Sequence, residues 1–545
     1  MPKISNLQRV SKKHVVEIRK SCATASSQPP VGFDLITVRS GPTVLLPHQR
    51  SLVRHVTSDQ FISPFLVYWT MGSGKTTGAL ACMNAVSTKG NKPKEVLILC
   101  NLSIIGQWQS AVLKFHTTEE THVTIVNWHG CIQAVTTPER FDLLIADEAH
   151  RFRNATEARK PEIAHLRRCP RVLLLTGTPI VNDVDDRFGL FALMSPQRNP
   201  AAWGSTSLES LMKNRVSYFN PATDKRCRQH FPLVDDHVAL VPMLSAQVLV
   251  YLSNKAQDFT LDVDGETIGV SRPVNNRYNA ALRAVSNMPF PENLDDCPKL
   301  VALVANVSQY VARGAPQVVY SCFLASGCGS IAELLRRRNP SMTVAVIDGK
   351  TKAADRTKIA RRFNLGNLSV LILSRAAAEG LDLMGTYAFH ILEPHQNLSD
   401  EAQTLSRAVR YRSHKGKVHK TVKVFRYLCT FPPSIHADAL FVASLHKIFD
   451  PRQLAGVPSD SIARAVRLMM KKEAYTIDEM QHNLNKTKFR QIQDCVDTII
   501  NSSILMTQKR DREDGGCFRH VANGGSQNDS QRHAPSLSTE WSFLC

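Results

Sequence analysis

The stretch Phe65 to Thr77, FLVYWTMGSGKTT, constrains this chain more than any other. Its opening run, Phe65–Trp69, is apolar and has the length of a buried strand. The run breaks into Gly72-Ser73-Gly74, and Lys75-Thr76-Thr77 then opens a helical pattern through Leu80, Ala81 and Met83. A glycine-rich turn between strand and helix lets successive backbone N–H groups point at an anion. The helix N-terminus adds the positive end of its dipole, and the Lys and Thr suit phosphate and Mg2+ respectively. Met71, Gly72, Ser73, Gly74, Lys75, Thr76 and Thr77 are therefore candidate nucleotide-binding residues. Trp69 stands where the strict phosphate-loop pattern has its first glycine, and the same residues also describe a tight strand–helix turn with an exposed lysine.

Length sets the frame around this loop: 545 residues predict roughly three or four domains. Lys and Arg number 67 against 47 Asp and Glu, a formal charge of +20 that points to a polyanionic partner, nucleic acid before membrane. A generally basic, soluble surface is the plainer account of the same excess. The 13 cysteines are scattered and never spaced as C-x-x-C, against a disulfide framework or a zinc module and for a reducing compartment. No secretory signal is visible at the N-terminus, and no window of about 18 apolar residues predicts a membrane span. A soluble, intracellular protein is the expectation.

Residues 1–40 are basic and include Ser-Ser-Gln-Pro-Pro, a linker composition. Leu45-Leu46-Pro47-His48-Gln49-Arg50 then leads into a helical pattern. Gln49 has the paired donor and acceptor that can read an adenine edge, and it fits a solvent-facing helix start equally well. Beyond the loop, apolar strands recur at Val96–Cys100, Val123–Val126, Leu143–Ala146 and Val172–Leu175, separated by helical patterns. That is the signature of a parallel α/β sheet, and such sheets place ligands at the C-terminal ends of their strands. There stand Asp147-Glu148-Ala149-His150 and Thr176-Gly177-Thr178-Pro179. Adjacent carboxylates downstream of a phosphate loop can divide the labour, one holding Mg2+ and the other orienting and deprotonating the attacking water. An exposed Asp-Glu at a helix start is the alternative.

In this order the motifs resemble a superfamily 2 helicase or translocase: Gln49, TMGSGKT (70–76), DEAH (147–150) and TGTP (176–179). Further apolar strands at Gln317–Ser321, Thr343–Ile347, Ser369–Leu373 and Ala388–Leu392 predict a second sheet. Ser374 to Leu383, including EGLDL (379–383), resembles motif V, and Gln403 to His414 resembles motif VI. Within the superfamily the chain is most similar to the Swi/Snf branch, in particular poxvirus nucleoside triphosphate phosphohydrolase I and its relatives in large DNA viruses. EGLDL, ILEPHQN (391–397) and RAVRYRSH (407–414) carry this likeness, although Ser406 replaces the usual Gly. The similarity covers about residues 41 to 430.

The resemblance implies an α/β fold of two tandem RecA-like parallel-sheet domains of the P-loop NTPase kind, with a C-terminal helical extension. Its boundaries would be a basic segment 1–40, an ATP-binding domain 41–205, an insertion 206–290, a second domain 291–430, a helical extension 431–505 and a disordered tail 506–545. It also implies ATP hydrolysis coupled to movement on nucleic acid. By position, Lys75 would contact the β/γ phosphates, Thr76 and Asp147 the Mg2+, and Glu148 would activate water. Gln49 and Gly380 would line the nucleotide, Gln403 would complete the cleft, and Arg407 and Arg410 would reach the γ-phosphate. Spacing of three would set these arginines on one helix face, which a solvated basic face would also show. Duplex DNA is the favoured partner, with transcription or replication machinery as further partners and no membrane. A viral origin would put the chain in the host nucleus or cytoplasm and in the virion. Basic residues across 403–425, Arg336–Arg338 and Arg356–Arg362 are candidates for phosphate contacts. An RNA helicase is the competing enzyme, and a catalytically weak nucleic-acid clamp is the competing non-enzyme.

Overall fold

Short apolar strands separated by helices bury both faces of a sheet when they pair in parallel with helices on either side. A computed structural model describes residues 15–18, 35–38, 41–87, 94–115, 121–128, 137–154, 166, 168–181, 183–195, 207–221, 223–255, 258–271, 278–311, 314–377 and 381–504. The chain divides into two units, one running to Phe231 and resuming at Lys488, the other spanning Pro232–Thr487.

The strands of the first unit are β1 (Val15–Ile18), β2 (Leu35–Val38), β3 (Gly41–Val44), β4 (Phe65–Trp69), β5 (Lys94–Cys100), β6 (Thr121–Asn127), β7 (Leu143–Asp147), β8 (Val172–Thr176) and β9 (Val216–Phe219). Seven form one sheet in the order β1-β6-β5-β7-β8-β4-β9, with β2 and β3 a separate hairpin. β1 pairs antiparallel at one edge and every other pairing in the sheet is parallel. Every residue of β4 and β8 is buried, which is why both read as unbroken apolar runs rather than alternating ones.

The second unit holds β10 (Leu233–Pro242), β11 (Asp258–Val263), β12 (Glu266–Ser271), β13 (Gln317–Ser321), β14 (Val344–Ile347), β15 (Val370–Ser374), β16 (Ala388–Ile391) and β17 (Thr421–Thr430). Six of these make an all-parallel sheet in the order β10-β17-β16-β13-β15-β14. β11 and β12 form a hairpin whose outward face alternates with buried Phe259, Leu261 and Val263. The fold class is the one expected: two parallel sheets with helices, and further helices toward the C-terminus.

The expected boundaries need correcting where strands claim the intervening segments. Residues 206–290 are no separate insertion, because β9 completes the first sheet beside β4 and β10 lies at the edge of the second, beside β17. The expected extension 431–505 is likewise divided. The helices Ala439–Ile448 and Ser459–Lys472 bury Phe441, Leu445, Ile462 and Val466 in the second unit's core. The helix Ile477–Asn501 begins there too, where fully buried Asp478 accepts from Lys299 Nζ at 2.5 Å. Its Ile492 and Ile499 are buried in the first unit's core instead. Most of segment 1–40 and the tail 506–545 lie outside the described residues. No described helix is long and apolar enough to cross a membrane.

Candidate nucleotide site

β4 feeds a loop whose Gly72 and Gly74 take φ of 75° and 84°, conformations that favour glycine. The helix Lys75–Ser87 starts immediately after. Thr70, Met71 and Ser73 are buried, while Gly72, Gly74, Lys75, Thr76 and Thr77 are partly exposed. The Lys75 ammonium donates to the carbonyls of Trp69 at 2.8 Å and Thr70 at 3.4 Å, so it curls over the loop mouth. Trp69, at the position of the missing first glycine, sits fully buried in the strand. Its indole N–H donates to Ser217 Oγ at 3.0 Å. Its ring edge lies against the helix at Gly78, where an added Cβ would fall 2.8 Å from the ring. The Trp is therefore accommodated by a second glycine, one turn into the helix.

Gln49 does not face solvent at the helix start. It is 3 % exposed, its Oε1 accepts from the Leu46 N–H at 2.9 Å and its Nε2 donates to the Gly74 carbonyl at 3.1 Å. Beside it, His48 stacks on Phe219 at 3.6 Å and meets the Ser73 carbonyl through Nε2 at 3.1 Å. Burial brings His48 down to about 3, so the ring is neutral near pH 7. Both side chains brace the loop from behind.

The carboxylates stand at the end of β7, and β8 lies between β7 and β4. Asp147 Oδ2 accepts from Trp108 Nε1 at 2.9 Å, Oδ1 accepts from the Glu148 N–H at 3.0 Å, and the Asp147 carbonyl accepts from Trp128 Nε1 at 3.0 Å. Burial, with the neighbouring Glu148 carboxylate, pushes the Asp147 carboxyl up to about 6 against the opposing pull of Trp108 and Lys75. Glu148 adopts a left-handed backbone, φ 54°, uncommon for a non-glycine residue and concentrated at functional sites. Its carboxylate lies 3.3 Å from His150 Nδ1, which also sits 3.2 Å from Thr176 Oγ1. That hydroxyl in turn accepts from the Thr178 N–H at 3.1 Å. Gly177 closes the arrangement, since an added Cβ there would lie 3.2 Å from Lys75 Nζ and 2.7 Å from Met71 Cγ. The first unit thus brings loop, carboxylates and TGTP turn together.

In the second unit, the helix Leu398–Leu405 is capped by Asn397, whose side chain accepts from the Asp400 N–H at 2.7 Å. Gln403 lies in its last turn. The helix ends there, which corrects the expected helix face for the arginines: Arg407 and Arg410 occupy the turns that follow. Backbone donors from Arg407, Ala408 and Val409 still reach back, but Ser413 folds onto Arg410 and Arg412 takes φ 60°. Arg410 pairs with Asp382, and burial brings its guanidinium down to about 10. The Arg407 carbonyl accepts from the Leu383 N–H at 3.0 Å, so motifs V and VI touch directly. Gly380 lies outside the described residues.

The basic run 403–425 also divides. Lys423 lies on β17 and pairs at 2.9 Å with Asp235, its register partner on β10. Arg426, three residues further along β17 and therefore on its opposite face, is buried with Asp236 and Glu401. Arg412, Lys415 and Lys420 are exposed in the turns before the strand. Elsewhere Arg337 and Arg338 both pair with Asp295, and Arg356 donates to the Thr351 and Asp348 carbonyls. Trp108, Trp128 and His48 were missed from the sequence because an apolar periodicity marks them only as core. The described cysteines are all free thiols, and no group of three or more His, Cys, Asp or Glu among the described residues could hold a metal.

Comparisons with known proteins extend this picture. Two family models match: an SNF2-related domain over residues 132–205 and a helicase conserved C-terminal domain over residues 302–412. A putative ATP-dependent RNA helicase of Acanthamoeba polyphaga mimivirus is 26% identical over 318 residues, 53% of this chain and 69% of the relative. An uncharacterized killer plasmid helicase of Kluyveromyces lactis is 21% identical over 405 residues, 70% of this chain and 63% of its own length. The human DNA repair and recombination protein RAD54B is 29% identical over 156 residues, 23% of this chain and 17% of that protein. The chain thus spans less than two thirds of two of these three relatives. The SNF2-related match lies in the first unit and the helicase C-terminal match in the second, and together they support an ATP-hydrolysing helicase enzyme.

Proposed function

We propose that this chain is a nucleic-acid-dependent ATPase that converts hydrolysis into movement on DNA. One observation carries the reading. The Lys75 loop, the Asp147-Glu148 pair and the Thr176–Thr178 turn converge at the C-terminal ends of three adjacent parallel strands, β4, β8 and β7. Backbone N–H groups of residues 72–77 and the Lys75 ammonium bind the phosphates. Thr76 and Asp147 would hold Mg2+. The donors are hard oxygens, and the raised proton affinity of Asp147 marks a buried carboxylate that a cation's charge would satisfy. When bound, the ion neutralises charge on the phosphate oxygens. Glu148 orients the attacking water and takes its proton, with His150 and Thr176 fixing the carboxylate. By the resemblance, Arg407 and Arg410 would supply guanidinium charge for the γ-phosphate, Gln403 would support them and Gly380 would line the nucleotide.

Duplex DNA is favoured because the first-unit match is to an SNF2-related domain and because RAD54B is a DNA repair and recombination protein. Likeness to a mimivirus protein fits a large-DNA-virus chain acting inside host cells in transcription or genome handling. That relative's name favours RNA as the second reading. ATP hydrolysis measured alone and with duplex DNA, single-stranded DNA and RNA separates them, with Glu148→Gln as control. Stimulation by duplex DNA that disappears in the variant supports the proposal. Stimulation by RNA alone promotes the RNA helicase, and binding without hydrolysis in every condition leaves only a clamp.

A further inference from the structure

Among the groups around the site, one contact has no place in the roles above. Trp108 belongs to the helix Ile105–Phe115, which follows β5, the strand paired with β7. The residue packs in the first unit's core and is 1 % exposed. Its indole nitrogen nevertheless emerges at the strand ends and donates to Asp147 Oδ2 at 2.9 Å. An indole N–H donates and cannot accept, so a buried one demands an acceptor in a fixed direction. Trp128 spends its own N–H on the Asp147 main-chain carbonyl. The Glu148 N–H holds the other carboxylate oxygen. Trp128 therefore holds the strand end through the main chain, while Trp108 and the Glu148 peptide hold the carboxylate; among the described residues only Trp108 reaches it with a side-chain hydrogen bond.

We infer that Trp108 is a positioning residue for the divalent cation: its indole N–H aims the Asp147 carboxylate and keeps its remaining lone pairs turned toward the phosphate loop. This rests on the nucleotide reading of the site. Partners that orient a ligating carboxylate typically change metal affinity by about 10- to 100-fold when removed. Trp108→Phe keeps the apolar ring and deletes the donor. Trp108→His can return a donor, since its Nε2 falls near the place of the indole nitrogen. Trp128→Phe removes an indole of the same size whose N–H donates to the Asp147 main chain rather than to the carboxylate.

The test is Mn2+ binding to the full-length protein with ADP, followed by electron paramagnetic resonance, alongside melting of the metal-free protein. Affinity should fall about tenfold or more in Trp108→Phe, recover in large part in Trp108→His and stay near wild type in Trp128→Phe. Unchanged affinity in a folded Trp108→Phe, or an equal loss in Trp128→Phe, overturns the inference. Wild-type protein that binds no Mn2+ with ADP overturns the nucleotide reading instead. Should Trp108→Phe fail to fold, the indole N–H resonance of Trp108 decides the matter in wild type, assigned by its loss in Trp108→His. It should shift when Mg2+ joins ADP, and a resonance indifferent to Mg2+ overturns the inference.

Discussion

Gln49 and Gly74 are joined by a hydrogen bond of 3.1 Å from the side-chain amide to the loop carbonyl, and the same amide accepts from Leu46. The residue therefore ties the start of the helix Pro47–Val56 to the last residue of the loop before Lys75. Gln49→Leu would leave the Leu46 N–H without its acceptor, a loss of about 1–3 kcal/mol, while the Gly74 carbonyl would keep its bond from the Gly78 N–H. We expect weaker nucleotide binding together with lower stability, read by ADP titration and by urea unfolding. A variant with wild-type stability and weaker ADP binding would show instead that the amide faces the base.

Trp69 and Gly78 make a matched pair. Replacing Gly by Ala in a helix ordinarily gains about 1 kcal/mol. Here the new methyl would lie 2.8 Å from a ring that is fully buried and has no room to retreat. Overpacking of this kind costs about 1–3 kcal/mol, so the clash wins and Gly78→Ala should destabilise the first unit. In a Trp69→Leu background the same change should cost less or become favourable. A double-mutant cycle by chemical denaturation measures the coupling, and additive effects would refute it.

These contacts show where the sequence was readable. β4 and β13 were legible to the residue, Phe65–Trp69 and Gln317–Ser321, because a strand buried on both faces is an unbroken apolar run bounded by turn residues. The glycines of the loop marked the turn itself, and the structure gives Gly72 and Gly74 positive φ there. β17 was hidden because Lys423 and Arg426 make it look like a solvated basic stretch. Their partners Asp235, Asp236 and Glu401 come from distant segments that no local pattern connects to them. Trp108 was hidden for a related reason: the residue is core and its contact with Asp147 rests in one polar atom. A spacing of three suits a helix face and a succession of turns alike, so the turns carrying Arg407 and Arg410 are not legible in the sequence.

That hidden strand changes which lysines should touch phosphate. Lys423 already has its charge matched by Asp235, whereas Lys415 is exposed in the turns with Arg412. Each lost phosphate contact reduces the slope of log affinity against log salt by about 0.9 on duplex DNA. Lys415→Ala should therefore lower the slope by about one, and Lys423→Ala should leave it unchanged. Fluorescence anisotropy with a labelled duplex over a salt series provides the reading. The reverse pattern would place the nucleic-acid surface on the β10–β17 edge.

His390 is fully buried on β16, with Nδ1 3.0 Å from the Tyr427 hydroxyl and Nε2 2.9 Å from Gln317 Oε1. Burial brings its imidazole down from 6.5 to about 3, and His395, stacked on Tyr320, is lowered to about 3 likewise. A histidine held neutral in the fold binds a proton once unfolded. The unfolded chain then carries more protons, and stability falls as pH drops below 6.5 and continues to fall toward 3. Each such histidine contributes roughly 1.4 kcal/mol per pH unit across that window. The second unit should therefore lose stability steeply between these limits, and His390→Gln should reduce the steepness by close to one proton. Urea midpoints measured across the window test this, and parallel curves for wild type and variant would mean that His390 already titrates near its ordinary value in the fold.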